Sequence, residues 1–341
     1  MSIYDLDLSS LEELLVSWDA PAYRARQIWE GIYKHLYTKW ESFSSLPAAL
    51  RARLSQEFGL TPMQVVARLE SSDSLTQKTA FRLADGAQIE AVCMRYDRRV
   101  TLCISSQVGC AMGCAFCATG QMGFKRHLSS GEIVAQVMHF TRELAETGKR
   151  PTNIVLMGMG EPFHNYENTL QAVDRLNDPA GFSFGARRFT ISTVGLVPMI
   201  RRFAEEKRQV NLAVSLHAAD DATRSAMLPV NRKYGIEQVL EACRYYCALT
   251  GRRITFEWAL IQGVNDTPEQ ARALAALLRG MACHVNAIPL NPTAGYRQTG
   301  SLRPRALEFK RELERAGIAC TVRVRRGIDI AAGCGQLVIN E

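Results

Sequence analysis

From Thr101 onward the sequence reads as seven strand-like segments separated by six helical ones. The strand segments are TLCISSQ, NIVLMGM, RRFTIST, VNLAVSLHA, RITFEWALI, HVNAIPLNP and CTVRVRRG. Between them lie GEIVAQVMHFTREL, NTLQAVDRL, VPMIRRFAEE, IEQVLEACRYYCALTG, PEQARALAALLRG and RPRALEFKRELERAG, whose apolar residues recur at helical spacing. Strands in strict alternation with helices require a parallel sheet, because only a crossover helix returns the chain to the same edge. The sheet is either open or curled toward a barrel. In both cases ligands gather at the C-terminal ends of the strands. Those ends hold Gly158-Met159-Gly160-Glu161, Ser192, Ser215-Leu216-His217 and Asn291-Pro292.

Two smaller modules precede this core. Residues 1–62 read as helical: LEELLVSW, PAYRARQIWEGIYKHLY and LPAALRARLSQEF have helical spacing, with Pro21 and Pro47 where a first turn tolerates proline. Gly59 is expected to cap the last of these helices. Arg24, Arg26, Lys34, Lys39, Arg51 and Arg53 give the module a basic side, which is either a solvated helix face or a contact for RNA. Residues 63–100 read as a β-hairpin extension or linker, because Asp85-Gly86 separates two alternating runs. The core then occupies 101–341 and ends in a cysteine-bearing tail.

With 341 residues, 47% of them hydrophobic and 22% charged, the chain can bury a large core and does not read as disordered. Its net charge of +7 suits a polyanionic partner. No apolar run approaches the roughly 20 residues needed to span a bilayer, so no membrane partner is expected. The acidic start MSIYDLDLSSLEELL lacks the basic region of a secretion signal. A cytoplasmic location follows as the expectation. In that reducing setting the ten cysteines are thiols, ligands or catalysts rather than staples.

Three of the ten stand within eight residues: Cys110, Cys114 and Cys117 in CAMGCAFC. A disulfide framework wants pairs, and a closed zinc site wants four ligands. A cubane [4Fe–4S] cluster held by three thiolates keeps one iron free for an external ligand such as S-adenosylmethionine. This CxxxCxxC spacing resembles the radical S-adenosylmethionine superfamily. The rival readings are zinc with His127 as fourth ligand and an accidental group of free thiols. Glu161 in GMGEP resembles the superfamily's Gly-Glu motif: its carboxylate suits the methionine ammonium, and Gly160 permits close backbone approach. Read alone, GMGEP could equally be a strand-end turn.

TLCISSQVGCAMGCAFCATGQMGFKRHL, LMGMGEPFHN, ISTVG, SLHA, PVNRKY, GVND, IPLNP and GIDIAAGCGQL together resemble the RlmN/Cfr family of RNA methyltransferases. The likeness extends to the N-terminal helices (YRARQIW, LPAALRARL). It implies an α/β fold with a partial (β/α)6 TIM-type radical SAM barrel, an RNA-binding helical module and a short β extension. It implies one [4Fe–4S] cluster and two S-adenosylmethionine molecules per turnover. The implied substrates are an adenosine of 23S rRNA in the peptidyl transferase region and the adenosine 3′ of the anticodon in some tRNAs. The implied reductant is a flavodoxin or ferredoxin system, and the chain is expected to act as a monomer.

By the same resemblance Cys334 carries the methyl group, Cys103 resolves the product through a transient disulfide with Cys334, and Glu90 accepts the adenine proton. Gly160, Glu161, Ser192, Ser215, Leu216, His217 and Asn291 are implied to line the cofactor pocket. From the residues alone, Glu90 could also be a solvent-facing strand carboxylate. The wording of GMGEPFHN, IPLNP and SLHAADD favours C2 over C8 methylation, although Ile328, Ala331 and Gly333 depart from the commonest family tail. A zinc-stapled, non-catalytic RNA-binding protein is the reading from a different class. Cys93, Cys243, Cys247, Cys283 and Cys320 read as core or boundary thiols.

Overall fold

Asp7 starts the first helix, α1 (Leu8–Ser17), by accepting the Ser10 N–H at 2.7 Å. Helices α2 (Tyr23–Tyr33) and α3 (Ala48–Glu57) complete the N-terminal module. Its core is aromatic. Trp29 packs on Tyr33 at 4.6 Å and Trp40 on Phe43 at 5.1 Å. Gly31 is required there, since a Cβ would stand 2.2 Å from the Phe43 ring. Helix α3 ends at Glu57, and Phe58 is already extended. Gly59 therefore does not form the expected left-handed cap. Its carbonyl instead accepts the Ile3 N–H at 3.3 Å, closing the module on itself.

The structure, a computed structural model, describes residues 2–338. The outermost positions of the expected modules, 1 and 339–341, lie outside the described residues. After α3 come strands β1 (Gln64–Glu70), β2 (Thr76–Arg82), β3 (Gln88–Tyr96) and β4 (Arg99–Cys103). A ribbon of β5 (Gln107–Gly109) and β6 (Phe124–His127) brackets the three-cysteine loop and the short α4 (Ala118–Gln121). The chain then alternates: α5 (Ser130–Ala145), β7 (Asn153–Leu156), α6 (Tyr166–Asn177), β8 (Phe189–Thr193), α7 (Val197–Glu205) and β9 (Asn211–Ser215). It continues with α8 (Asp221–Met227), α9 (Ile236–Thr250), β10 (Ile254–Leu260), α10 (Pro268–Leu278), β11 (Cys283–Pro289), α11 (Arg303–Arg315) and β12 (Cys320–Val322).

One ten-stranded sheet runs β1-β2-β3-β4-β7-β8-β9-β10-β11-β12. The pairings from β1 to β4 are antiparallel, and those from β4 through β7 to β12 are parallel. Residues 63–100 thus supply strands that extend the core sheet itself. Among the described residues β1 and β12 do not pair with each other, so the parallel part is a partial barrel with an open side.

Alternation along each strand sorts side chains between the helical layer and the interior. On β10, Phe256, Trp258 and Leu260 are fully buried, and Trp258 stacks near Phe309 of α11 at 5.5 Å. Glu257 and Ala259, between them, face the interior cavity.

The N-terminal module is tied to the barrel through polar contacts. Gly131 at the start of α5 donates its N–H to Asp5 Oδ1 at 2.9 Å. Arg175 of α6, buried, donates to the Tyr4 carbonyl and to Ser130 Oγ. Among the described residues, no helix is long and apolar enough to cross a membrane.

Candidate active site

The C-terminal rim of the parallel strands surrounds one deep cavity. Cys110, Cys114 and Cys117 all line it. Their loop is held in shape by the backbone. Cys110 N–H donates to Gly123 O at 2.8 Å, Ala115 N–H to Met227 O at 2.9 Å, and Cys117 N–H to Cys114 O at 3.1 Å. Gly120 has no room for a side chain, since a Cβ would meet Cys114 N at 2.9 Å.

Burial pushes the Cys110 thiol up to about 12 and Cys114 well above the usual thiol range. Cys117 and Cys110 raise Cys114 further, so the three sulfurs act on one another. Three crowded, desolvated thiols oppose ionisation unless cationic iron neutralises them, and this donor set suits a cluster bound by three thiolates. His127 does not join them. It meets Gln107 Nε2 at 2.9 Å and stands edge-on to His164. The zinc reading therefore lacks its fourth ligand. Among the described residues no three His, Cys, Asp or Glu side chains surround a single-ion site.

The turn after β7 carries Glu161, which is buried and lines the cavity. Its Oε1 accepts the Phe163 N–H at 3.0 Å and its Oε2 the Val194 N–H at 2.9 Å. Burial raises the carboxyl to about 7 against these hydrogen bonds. Each oxygen keeps acceptor capacity toward a ligand donor. Gly160 has φ +104°, and a Cβ there would lie 2.6 Å from Gln107 Cβ, so only glycine carries the chain past β5.

Ser192, Ser215, His217 and Asn291 also line the cavity, from the ends of β8, β9 and β11. Leu216 does not. Its side chain is fully buried in the core, and its N–H donates to Glu257 O at 3.1 Å. His217 accepts the Ala259 N–H on Nδ1 at 2.9 Å, which leaves the proton of a neutral ring on Nε2. Burial lowers its pKa to about 3, so it stays neutral at physiological pH. Asn291 donates to Cys334 O at 3.0 Å, while its buried Oδ1 has no partner and awaits a donor.

The tail closes the site. Ala118 N–H donates to Gly335 O at 2.8 Å and Thr119 Oγ1 to Leu337 O at 2.6 Å. A Cβ on Gly333 would collide with Asn291 Nδ2 at 2.6 Å. These contacts bring Cys334 and Cys103 to the walls of one cavity. Cys334 remains accessible from that space. The protein around it, then Cys103 and Glu257, push its thiol up to about 12. Burial likewise raises Cys103 to about 12.

Glu90 sits elsewhere than the cavity wall. It is buried on β3, 3.0 Å from Lys78 Nζ of β2, and its Oε2 accepts the Val338 N–H at 3.0 Å. It is thus not a solvent-facing strand carboxylate. Burial raises its pKa, and the Lys78 ammonium opposes that rise.

Sequence reasoning missed Glu257, Asn286 and Arg323 on the same cavity. Glu257 is buried, accepts Asn286 Nδ2 at 2.6 Å, and is raised to about 7 by burial. A single carboxylate inside the apolar run ITFEWAL was the available signal, because a buried charge without a role is costly.

Comparison with known proteins identifies the family. Residues 104–275 match the radical SAM superfamily, and residues 1–60 match the ribosomal RNA large subunit methyltransferase N-terminal domain. The dual-specificity RNA methyltransferase RlmN 1 of Myxococcus xanthus is 49% identical, over 98% of this chain and 94% of its own length. A probable dual-specificity RNA methyltransferase RlmN of Chloroflexus aurantiacus is 50% identical, over 98% and 92%. The crystal structure of a radical SAM methyltransferase from Sphaerobacter thermophilus superposes with a TM-score of 0.97 at 51% identity, covering 99% of both chains. The chain belongs to the RlmN family of dual-specificity RNA methyltransferases, within the radical SAM superfamily.

Proposed function

We propose that the protein methylates C2 of an adenosine in 23S rRNA and of the adenosine 3′ of the anticodon in some tRNAs. The observation that carries this reading is the meeting of Cys103 and Cys334 on one cavity with the three-cysteine loop. Adenine C2 has no lone pair with which to attack a methyl sulfonium, so ordinary polar transfer cannot deliver the methyl group there. A thiol that first takes the methyl and later leaves as a disulfide answers that difficulty.

Cys110, Cys114 and Cys117 would hold the [4Fe–4S] cluster. Glu161, Ser192, Ser215, His217 and Asn291 would hold S-adenosylmethionine, with Gly160 giving it backbone access and Leu216 contributing only packing. Together these groups supply both a methyl donor and, by one-electron cleavage of the sulfonium, a carbon radical able to abstract hydrogen.

Cys334 gives up its thiol proton and accepts the methyl group from one S-adenosylmethionine. Cleavage of a second S-adenosylmethionine would supply the radical that takes a hydrogen atom from the Cys334 S-methyl group. The carbon left on Cys334 then bonds to adenine C2, and the unpaired electron of the adduct would pass back to the oxidised cluster. Glu90 takes the C2 proton, which requires the Lys78 pair and the tail around Val338 to yield when RNA binds. Cys103 Sγ then attacks Cys334 Sγ. Cys103 gives up its thiol proton in that step. The electron pair of the Cys334 sulfur–carbon bond stays with the carbon, and that carbon takes up a proton to become the methyl group. The RNA leaves, and a thiol or the electron-transfer system reduces the disulfide before the next turnover.

The remaining assignments belong to the same reading. Residues 1–62 act as an RNA-binding accessory module, and 63–100 connect it to the catalytic core. The protein works as a cytoplasmic monomer that takes electrons from a flavodoxin or ferredoxin system. The deciding experiment is mass spectrometry of methyladenosine isomers in RNA from cells with and without the gene. The 2-methyl isomer should vanish with the gene. Loss of 8-methyladenosine instead would make the protein a C8 enzyme, and no change in either isomer would overturn the reading.

A further inference from the structure

The mouth of the cavity is built from two segments far apart in the chain. One is the turn from β3 to β4, with Tyr96 on the cavity wall and the exposed Arg99 against the Tyr96 ring. The other is the stretch leaving β12, Arg323 to Arg326. Tyr96, Arg323, Val324, Arg325 and Arg326 all line the opening. Tyr96 gathers cations: the Arg99 guanidinium carbon stands 4.3 Å from its ring centre and that of Arg326 4.5 Å. Arg326 is further fixed by donating to Arg95 O at 3.3 Å.

Among the described residues none of Arg99, Arg323, Arg325 and Arg326 has a carboxylate in direct contact, although the charge of Arg323 acts on Glu257 and that of Arg326 on Asp73. By contrast, Arg201, Arg202, Arg272, Arg305 and Arg315 on the outer helices each meet a glutamate. Val324, between the rim arginines, is 81% exposed.

These features have one physical reading. A guanidinium resting on an aromatic face is partly immobilised before any ligand arrives, so less freedom is lost on binding. A guanidinium with no carboxylate in direct contact keeps its hydrogen-bond donors available, and its planar fork matches phosphate oxygens. Several such groups around one opening attract a polyanion, and an exposed apolar side chain among them offers a surface for a base. Protein partners of ordinary composition would not favour so concentrated a positive charge.

We propose that Arg99 and Arg326, braced on Tyr96 and flanked by Arg325, form a phosphate clamp at the cavity mouth. The clamp grips the RNA backbone beside the target adenosine, and Val324 packs against a neighbouring base. The proposal rests on the reading of RNA as substrate and adds where on the surface it is held.

The test measures binding of a synthetic RNA hairpin with an adenosine in its loop to full-length, iron-loaded protein, across a series of salt concentrations. Each lost phosphate contact should flatten the slope of log affinity against log salt by about 0.7–0.9. Arg99→Ala and Arg326→Ala should each lower the slope by that amount, and the double variant by about twice as much. Tyr96→Phe keeps the ring and should bind as wild type. Tyr96→Leu removes the brace and should weaken binding at low salt. Arg201→Ala, on α7, paired with Glu241 and absent from the cavity lining, should change nothing.

A double variant with the wild-type slope would overturn the clamp. If the arginine variants fail to fold, equal binding by Tyr96→Phe and Tyr96→Leu would overturn it as well. Failure of the wild-type protein to bind the hairpin at any salt concentration would strike the RNA reading itself, a distinguishable result.

Discussion

Lys78 Nζ and Glu90 Oε1 face each other at 3.0 Å beneath the C-terminal tail, with less than a tenth of either side chain exposed. Glu90 also accepts the Val338 N–H, so one carboxylate joins β2, β3 and the tail. Such a pair gains little over an apolar replacement of both partners, but removing one partner strands a buried charge. Lys78→Met should therefore cost about 3–5 kcal/mol at neutral pH. The cost has a definite pH dependence. Burial already raises Glu90, and without the ammonium that lowers it the pKa rises further. A group raised in the folded state favours folding at low pH and loses that contribution as pH rises through its folded pKa. The destabilisation should thus shrink toward acid. Urea melts at several pH values measure it, and an equal loss at every pH would contradict the account.

The three-cysteine loop makes a simpler prediction. Anaerobically reconstituted wild-type protein should carry about four irons per chain. Cys110→Ala, Cys114→Ala and Cys117→Ala should each bring that close to zero. Cys243→Ala, fully buried on α9 away from the cavity, should keep the iron. Full iron content in all three loop variants would move the cluster elsewhere.

Cys334 and Cys103 should fail differently. Cys334→Ala removes the carbon carrier, so RNA leaves untouched. Cys103→Ala allows the carbon to bond but removes the thiol that releases it. Labelled RNA should then stay attached to the protein on a denaturing gel, and nuclease digestion with peptide mapping should place the link at Cys334. Normal turnover by Cys103→Ala, or a link at another residue, would reverse the assignment.

Glu257 should tune Cys334. Its negative charge is one of the causes that raise the Cys334 thiol. Glu257→Gln keeps an oxygen for Asn286 and removes the charge. Below pH about 7 the Glu257 carboxyl is already neutral, so variant and wild type should match. Above it, unmethylated Cys334 in the variant should hold more thiolate and react severalfold faster with iodoacetamide. Peptide mass mapping across pH gives the comparison. Slower alkylation in the variant at high pH would mean that the carboxylate helps the thiolate instead of opposing it.

The strand–helix alternation after Thr101 was legible because each period is set by local geometry: the seven strands and six helices read from it all occur, although the last strand stops at Val322 and the short α8 was not read. The three-cysteine loop and Glu161 were legible because their chemistry lies in a few consecutive residues. What was not legible depends on how the sheet curls. Nothing near Glu257 in sequence says that its side of β10 faces a cavity shared with Cys334. Gly59 misled for the opposite reason: it follows a helix as a cap would, but pairing with Ile3 overrides the local preference. The β5–β6 ribbon escaped notice because its strands are three and four residues long.

The hydrogen bonds from Ala118 and Thr119 to the tail also set an order in time. The three-cysteine loop leaves the ribosome more than two hundred residues before Cys334 does. At about 5–20 residues per second, the interval is roughly 10–40 s. Throughout it the three thiols lack the cover that Gly335 and Leu337 later provide. On the proposed assignment, the loop is open to an iron–sulfur donor before the segment around Gly335 and Leu337 can cover it and bring Cys334 to the cavity.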